Sequence, residues 1–402
     1  MLDINYQCGT RIVMNDHAQT EAAHYIKAYG GTRVLILYGG GHVVRSGLLD
    51  QVKETLSREG IFFVEMGGVV PNPHLQLVRE AIGVCRENRV DFILAVGGGS
   101  VIDSAKAIAA GVPYDGDVWD FYAEENGANI VIPQKALPIG VILTMAATGS
   151  ESSNGTVLSD PERQLKRSFD NDLVRPVFAL ENPQMMMSLS PFQTFCGLID
   201  IMSHSMERYF TKAGTENELT DRLAEAIFFT CIHCGNTLVK DWGDVQARAD
   251  LMLASGFSHN NLTGLGRGQD WASHHIAHEL SGIFDVTHGA ALAIVLPAWM
   301  KYVNHANKPQ FVKWAVRVMQ VPESENTDEV IAAGIQRFED FIKMLHLPVR
   351  ISQSHQVDMS RVDDAMLRRI AAQARKTNGD GTCGGVMKLG EEDIFRILKL
   401  AL

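Results

Sequence analysis

The sequence predicts a chain in two parts, an α/β half built on a parallel sheet and an all-α half. Three observations predict it. In the first half, short runs of continuous apolar residues alternate with amphipathic segments. Glycine triplets directly follow two of those runs, at Gly39-Gly40-Gly41 and Gly97-Gly98-Gly99. From about Pro191 onward, helical periodicity runs almost unbroken and no strong strand run occurs. Continuous apolar strands alternating with helices imply a parallel sheet covered on both faces.

The elements follow in order. Arg33-Val-Leu-Ile-Leu-Tyr38 reads as a buried strand, broken by Gly39 to Gly41. Val43 to Glu59 reads as one amphipathic helix ending at Gly60, and Ile61 to Val64 as the next strand. Pro71-Asn72-Pro73 is a turn, Leu75 to Glu87 a helix, and Phe92 to Val96 a second buried strand. Gly97 to Gly99 break it, Val101 to Ala110 is helical, and Ile139 to Leu143 is again strand-like. The second half reads as helices over 192–210, 215–240, 244–260, 268–282, 289–305, 308–319, 327–345, 359–375 and 391–401. Asn182-Pro183 and Leu189-Ser190-Pro191 interrupt the pattern between the halves. The expected domains are therefore 1–187, an α/β domain, and 188–402, an all-α domain. No repeat and no long linker separates them, so they are expected to pack together.

Composition narrows the function classes. At ~150 residues per domain, 402 residues suit two or three domains. Apolar (46%) and charged (21%) fractions are those of a folded globular chain, which excludes wholesale disorder. A net charge of −11 argues against nucleic acid or an anionic membrane as partner, since both need a positive surface field. Met1 to Thr20 lacks a basic start followed by an apolar core, so no secretory leader is expected. The longest apolar run, Ile139 to Ala147, falls well short of the ~18 residues that span a bilayer. The six cysteines are scattered, which suits reduced core thiols and a cytoplasmic location. Cys231-Ile-His-Cys234 has the spacing of a metal half-site, but no second half follows and the segment is helical in pattern. It reads as packing thiols.

Gly39-Gly40-Gly41-His42 and Gly97-Gly98-Gly99-Ser100 are strand–glycine–helix junctions. Glycine there lets a ligand approach the backbone, and the following helix start offers free N–H groups to an anion. Neither loop satisfies GxGxxG, because Val44 and Ile102 stand at the third glycine, and no GxxxxGK[ST] occurs. Each loop alone is equally explained as a tight turn. Ser100-x-x-Asp103 also fits a capping box. Two such loops, with Thr148-Gly149-Ser150-Glu151 after a third strand, favour a nucleotide at the carboxyl ends of the strands.

Histidine is concentrated at His259, His274, His275, His278 and His288. Upstream, Asp200 and His204 stand four apart on an expected helix, hence on one face. His274 and His278 are spaced alike, and His288 follows the break at Phe284 to Thr287. Such polar pairs also arise on solvated helix faces. Asp200, His204, His274 and His288 together lean toward a divalent metal set for zinc or iron. His275 points about 100° from His274 on a helix and is not expected to be a ligand. On spacing alone, a metallohydrolase stays open.

Taken in order, these motifs resemble the iron-containing (group III) alcohol dehydrogenases over nearly the whole chain. The order is Gly97-Gly-Gly-Ser100-x-x-Asp103, Thr148-Gly-Ser-Glu151, Asp200-x3-His204 and His274-x3-His278-x9-His288. Leu37 to Gly41, Pro71 to Pro73 and Leu296-Pro297 belong to the same pattern. The nearest branch is that of butanol dehydrogenases and broad-range NADPH-dependent aldehyde reductases.

The resemblance implies a dehydroquinate synthase-like architecture, with a Rossmann-like sheet and an all-α second domain. It implies a metal-dependent alcohol dehydrogenase or aldehyde reductase that interconverts primary alcohols, such as butanol, and aldehydes. Asp200, His204, His274 and His288 match the family's metal ligands, for one Fe2+ or Zn2+. His278 matches a histidine near nicotinamide and substrate, a candidate for proton relay. Gly97, Gly98, Gly99, Ser100 and Asp103 match the pyrophosphate loop. Thr144, Thr148 and Asn154 match positions lining the cofactor cleft, and Lys166 a lysine reaching the cofactor. Small alcohols and aldehydes are the implied partners, with no nucleic acid and no membrane, in a homodimer.

Cofactor choice has its own argument. A carboxylate after the first strand would bond a ribose 2′-hydroxyl and repel a 2′-phosphate. Here Gly39, Gly40, Gly41 and His42 follow the strand without Asp or Glu, so NADP(H) is expected over NAD(H). His42 departs from the serine common in the branch. The glycine-rich tail Thr377 to Gly385 resembles the family's loop before the last helix. Trp119, Phe121, Phe257 and Trp271 could narrow a substrate channel, though aromatics more often serve the core. A dinucleotide lying between the two halves would bring its nicotinamide to the metal. Competing readings are a non-redox dehydroquinate synthase-like enzyme, a nucleotide-binding metallohydrolase and a non-catalytic nucleotide sensor.

Overall fold

A computed structural model describes residues 4–125 and 128–402. Residues 1–3, part of the leader reading, and residues 126–127 of the first expected domain lie outside the described residues. Two compact units emerge. One holds Gln7–Glu125 and Asn129–Leu189; the other holds residues 4–6, residue 128 and Ser190–Leu402.

In the α/β unit the elements run β1 (Arg11–Met14), α1 (Ala22–Ala28), β2 (Arg33–Tyr38), α2 (Gly41–Arg45), α3 (Leu48–Arg58) and β3 (Phe62–Met66). Then come α4 (Leu75–Glu87), β4 (Phe92–Gly97), α5 (Gly99–Gly111) and β5 (Ile139–Leu143). The unit ends with β6 (Gly155–Asp160), β7 (Leu165–Asp170) and β8 (Phe178–Glu181). Six strands form one parallel sheet in the order β1-β8-β5-β4-β2-β3. The core is aliphatic and aromatic: Val34 and Ile36 of β2, Phe92 and Leu94 of β4, and Phe178 of β8 pack with Val52 and Leu56 of α3. The chain leaves β2 for the β3 edge, then returns to β4 on the other side of β2. That reversal is a topological switch point, where ligands of such sheets bind beyond the strand ends. Both glycine triplets lie there, one after β2 and one after β4.

Two sequence expectations change. The single helix over 43–59 is two helices, because Ser46-Gly47 turns the chain and Gly47 takes φ +76°, which L side chains rarely adopt. Residues 155–170 hold a strand pair that the apolar pattern did not reveal: β6 and β7 are antiparallel, pairing Ser159 with Lys166. Their alternation carries Lys166 and Arg167 in place of a plain apolar stripe.

The second unit is helical, with α6 (Pro191–Tyr209), α7 (Glu218–Lys240), α8 (Val245–His259), α9 (Ala272–Phe284) and α10 (His288–Val303). α11 (Lys308–Arg317), α12 (Thr327–Met344), α13 (Asp364–Gln373) and α14 (Glu391–Leu400) complete it. Ser190 and Gln193 close a capping box at the start of α6. An aromatic core forms around Phe210, stacked 4.2 Å from Phe311 beside Trp299 and Trp314. Cys231 and Cys234 are buried in α7, and burial pushes both thiols up, which keeps them inert. Among the described residues no helix is long and apolar enough to cross a membrane.

Candidate metal centre and cofactor loops

Three helices of the second unit bring four sequence-predicted side chains together. Asp200 and His204 lie one turn apart on α6, His274 in the first turn of α9, and His288 at the first position of α10. Asp200 Oδ1 is the common point. His204 Nε2 lies 3.6 Å from it, His288 Nε2 3.6 Å and His274 Nε2 4.0 Å. Donor atoms of Asp200, His204 and His274 all lie within 4.8 Å of one another. One carboxylate and three imidazoles, turned inward through the same ring atom, suit a divalent zinc or iron ion. His204 is held well below the usual histidine range, first by burial and then by His259 and His274, so its ring is neutral and keeps a lone pair.

The surroundings are aromatic and imidazole-rich. The His278 ring lies 5.1 Å from that of His288 and 6.3 Å from that of His274. His275 is 6.4 Å from His278 and outside the four-residue set. The His259 ring meets His204 edge-on at 4.0 Å. Trp271 lies 5.0 Å from His274 with the Arg208 guanidinium 4.8 Å over its ring. Of the other aromatics named from sequence, Trp119 and Phe121 are core residues of the α/β unit packed on Tyr122 and Phe169, and Phe257 is exposed.

Sequence reasoning missed Glu207. It is buried on α6, and its Oε1 lies 2.7 Å from His274 Nδ1. A signal existed: Asp200, His204 and Glu207 are spaced i, i+4, i+7, one stripe of a helix. Asp270 was missed as well. Its Oδ2 accepts from Gly385 N (2.7 Å) and Val386 N (2.8 Å), which ties the glycine-rich tail to the start of α9. Burial and then the Glu207 charge push the Asp270 carboxyl up.

In the α/β unit the cofactor candidates take two kinds of place. Gly40 is exposed, and a Cβ there would meet nothing within 4 Å. Gly98 approaches Met145, and Gly99 is packed against Thr148, where a Cβ would lie 2.5 Å from the side chain. Gly98 caps α5 through its backbone, so Ser100 and Asp103 form no capping box there. Asp103 instead accepts from Ser150 Oγ and Val157 N. Thr148 Oγ1 accepts from Ser150 N (3.1 Å), Thr144 N donates to Gly97 O (3.1 Å), and Asn154 Nδ2 donates to Asp172 Oδ1 (3.1 Å). Lys166 Nζ donates to Asn72 Oδ1 over 3.0 Å, which joins β7 to the Pro71–Pro73 turn. His42 Nε2 lies 3.0 Å from Ser188 Oγ. Arg45, not singled out from sequence, folds back over Gly41, where a Cβ would collide with its guanidinium.

Comparison with known proteins decides the family. Residues 9–183 match the model of the iron-containing alcohol dehydrogenases, and residues 194–402 match the C-terminal model of the Fe-containing alcohol dehydrogenase family. The chain belongs to the iron-containing alcohol dehydrogenase family. It is 37% identical to NADH-dependent butanol dehydrogenase A of Clostridium acetobutylicum over 401 residues, 99% of either chain. It is 37% identical to the NADPH-dependent aldehyde reductase YqhD of Escherichia coli over 338 residues, 84% of this chain and 85% of that one. The crystal structure of an NADH-dependent butanol dehydrogenase A from Thermotoga maritima superposes with a TM-score of 0.92 at 34% identity, covering 100% of this chain and 99% of the other. This member of the family is an oxidoreductase of the alcohol dehydrogenase and aldehyde reductase kind, served by a metal ion and a nicotinamide cofactor.

Proposed function

We propose that Asp200, His204, His274 and His288 hold one divalent ion, Fe2+ or Zn2+, and that the enzyme interconverts primary alcohols such as butanol and their aldehydes with NADP(H). The observation that carries this reading is the convergence of three Nε2 atoms on Asp200 Oδ1. Three neutral imidazoles and one carboxylate leave a bound divalent ion about one positive charge, so it supplies Lewis acidity toward an alcohol or carbonyl oxygen. Hydride chemistry belongs to the nicotinamide; the chain's residues bind, orient and move protons. Gly97, Gly98, Gly99 and Ser100 form the loop that takes the pyrophosphate, with the N-terminal end of α5 favouring its charge. Thr144, Thr148 and Asn154 line the cofactor cleft, and Lys166 reaches toward the cofactor. His278 passes the proton that the oxygen gains on reduction or loses on oxidation.

The relatives' names divide on the cofactor, NADH for the butanol dehydrogenases and NADPH for the aldehyde reductase. NADP(H) is favoured here because no carboxylate follows β2 and because His42 and Arg45 stand beside Gly41. Arg45 makes no ion pair among the described residues, so its charge is available to a phosphate. A cytoplasmic homodimer completes the reading. It is supported by the family resemblance and, for the compartment, by six free cysteines.

The test is oxidation of NADPH with butanal by chelated enzyme, before and after Fe2+ or Zn2+ is restored, with NADH alongside. Turnover restored by metal and faster with NADPH is expected. Cofactor binding without turnover under any metal would favour a non-redox relative, and metal-dependent hydrolysis without a change in cofactor absorbance a metallohydrolase.

A further inference from the structure

We propose that Glu207 is a positioning residue: it dictates which ring nitrogen of His274 faces the metal, and it joins α9 to α6 where both helices present ligands. The inference rests on the metal-site reading above.

The N-cap residue of α9, Trp271, has φ +63° and offers no side-chain bond. One orphan donor of the first turn, Ala272 N, is met locally by Asp270 Oδ1 at 3.0 Å, and others are met from α6. Glu207 Oε2 accepts from Trp271 N at 2.8 Å, and Oε1 accepts from His274 N at 3.1 Å. Ser273 Oγ donates to the same Oε1 at 2.5 Å. The chain is pinned once more by Asp270 N, which donates to Glu207 O at 2.8 Å. A carboxylate at the amino end of a helix is also favoured by the helix dipole.

The fourth bond to the side chain carries the chemistry. His274 Nδ1 lies 2.7 Å from Glu207 Oε1. Oε1 already accepts from His274 N and Ser273 Oγ, and Oε2 from Trp271 N, so the carboxyl faces Nδ1 as an acceptor; Nδ1 then carries the hydrogen and Nε2 keeps the lone pair. Nε2 is the atom turned toward Asp200 Oδ1. Glu207 is buried, so water does not compete for these bonds. It sits on the same stripe of α6 as Asp200 and His204, so one side chain sets the rotation and translation of α9 against two of the ligands. Carboxylates of this kind typically change metal affinity by about 10–100-fold.

A purely structural cap would make a different prediction. The amide oxygen of Gln can still accept from backbone N–H groups, but an amide can turn either its oxygen or its NH2 group toward Nδ1. Glu207→Gln therefore keeps a cap and loses the dictation of tautomer.

The experiment reads the tautomer directly. Metal-free full-length protein is labelled with nitrogen-15 histidine, and the His274 signals are assigned by their loss in His274→Gln. The wild type is expected to show Nδ1–H and a bare Nε2. Glu207→Gln is expected to show mixed tautomers and zinc binding weaker by about 10–100-fold in chelator competition, with its circular dichroism spectrum unchanged. An Nε2–H tautomer in the wild type overturns the proposal, as does a folded Glu207→Gln with wild-type zinc affinity. The wild-type spectrum decides even if the variant does not fold. A wild type with the expected tautomer that binds no metal leaves the positioning intact and defeats the metal-site reading instead.

Discussion

Ser150 donates its hydroxyl hydrogen to Asp103 Oδ1 across 2.6 Å, and Val157 N donates to Oδ2 across 3.1 Å. Asp103 thus braces the loop after β5 and the start of β6 against α5, the helix that follows the second glycine triplet. Its carboxyl is pushed up by burial, with Lys106 opposing the shift. In Asp103→Asn one accepting oxygen becomes a donor that faces Val157 N or Ser150. Loss of about 1–3 kcal/mol is expected from denaturant unfolding of cofactor-free protein. Unchanged stability with weakened cofactor binding would return Asp103 to direct contact with the ligand.

Arg45 and His42 should separate the two cofactors. Arg45→Ala removes a cation that a 2′-phosphate would meet, a charge-assisted bond worth roughly 1.5–3 kcal/mol. The Michaelis constant for NADPH should rise roughly ten- to hundredfold while that for NADH stays put. Equal effects on both cofactors would sink the NADP(H) assignment.

His278 should act on protons rather than on the metal. His278→Ala is expected to cost about 10²-fold or more in kcat for butanal reduction and to flatten its pH profile. Metal content, measured by mass spectrometry, should not change. Full activity across the pH range rules out the relay.

Glu181 should make stability fall as pH rises. Among the described residues, both of its carboxyl oxygens are buried without a hydrogen-bond partner. Burial first, then the Glu151 charge, hold its carboxyl well above the usual range. The folded chain therefore keeps a proton that the unfolded chain releases near pH ~4.3. Its contribution is full below that pH and is lost as pH rises through the folded value. Glu181→Met, of similar volume, should be more stable by about 1–3 kcal/mol at pH 8, with the gap closing below pH 5. A gap independent of pH would refute this account.

The parallel strands were legible because each is apolar throughout, as strands buried on both faces must be. The β6–β7 pair was not, since Lys166 and Arg167 interrupt its pattern. The break at Ser46-Gly47 was hidden because α2 and α3 keep one amphipathic rhythm across it. In the site, Asp200, His204, His274 and His288 were visible through residue type and spacing. Glu207 and Asp270 were not, because a charged residue that orients a ligand looks in sequence like any polar residue of a helix. Only the backbone N–H groups that converge on them, from α9 and from the tail, reveal the role. Arg45 was invisible for a related reason: its meaning comes from folding back over Gly41.

The order of the sheet also bears on how the chain is made. Among the described residues β1 sits at an edge and pairs only with β8, Arg11 opposite Phe178. β2, β3 and β4 can form their ladders as soon as they emerge, but residue 11 must wait for residue 178. At ~5–20 residues per second, translation leaves that strand without its partner for roughly ten to thirty seconds. β1 is then the last strand of this sheet to dock, and a chaperone bound to it would delay completion of the sheet without disturbing its centre.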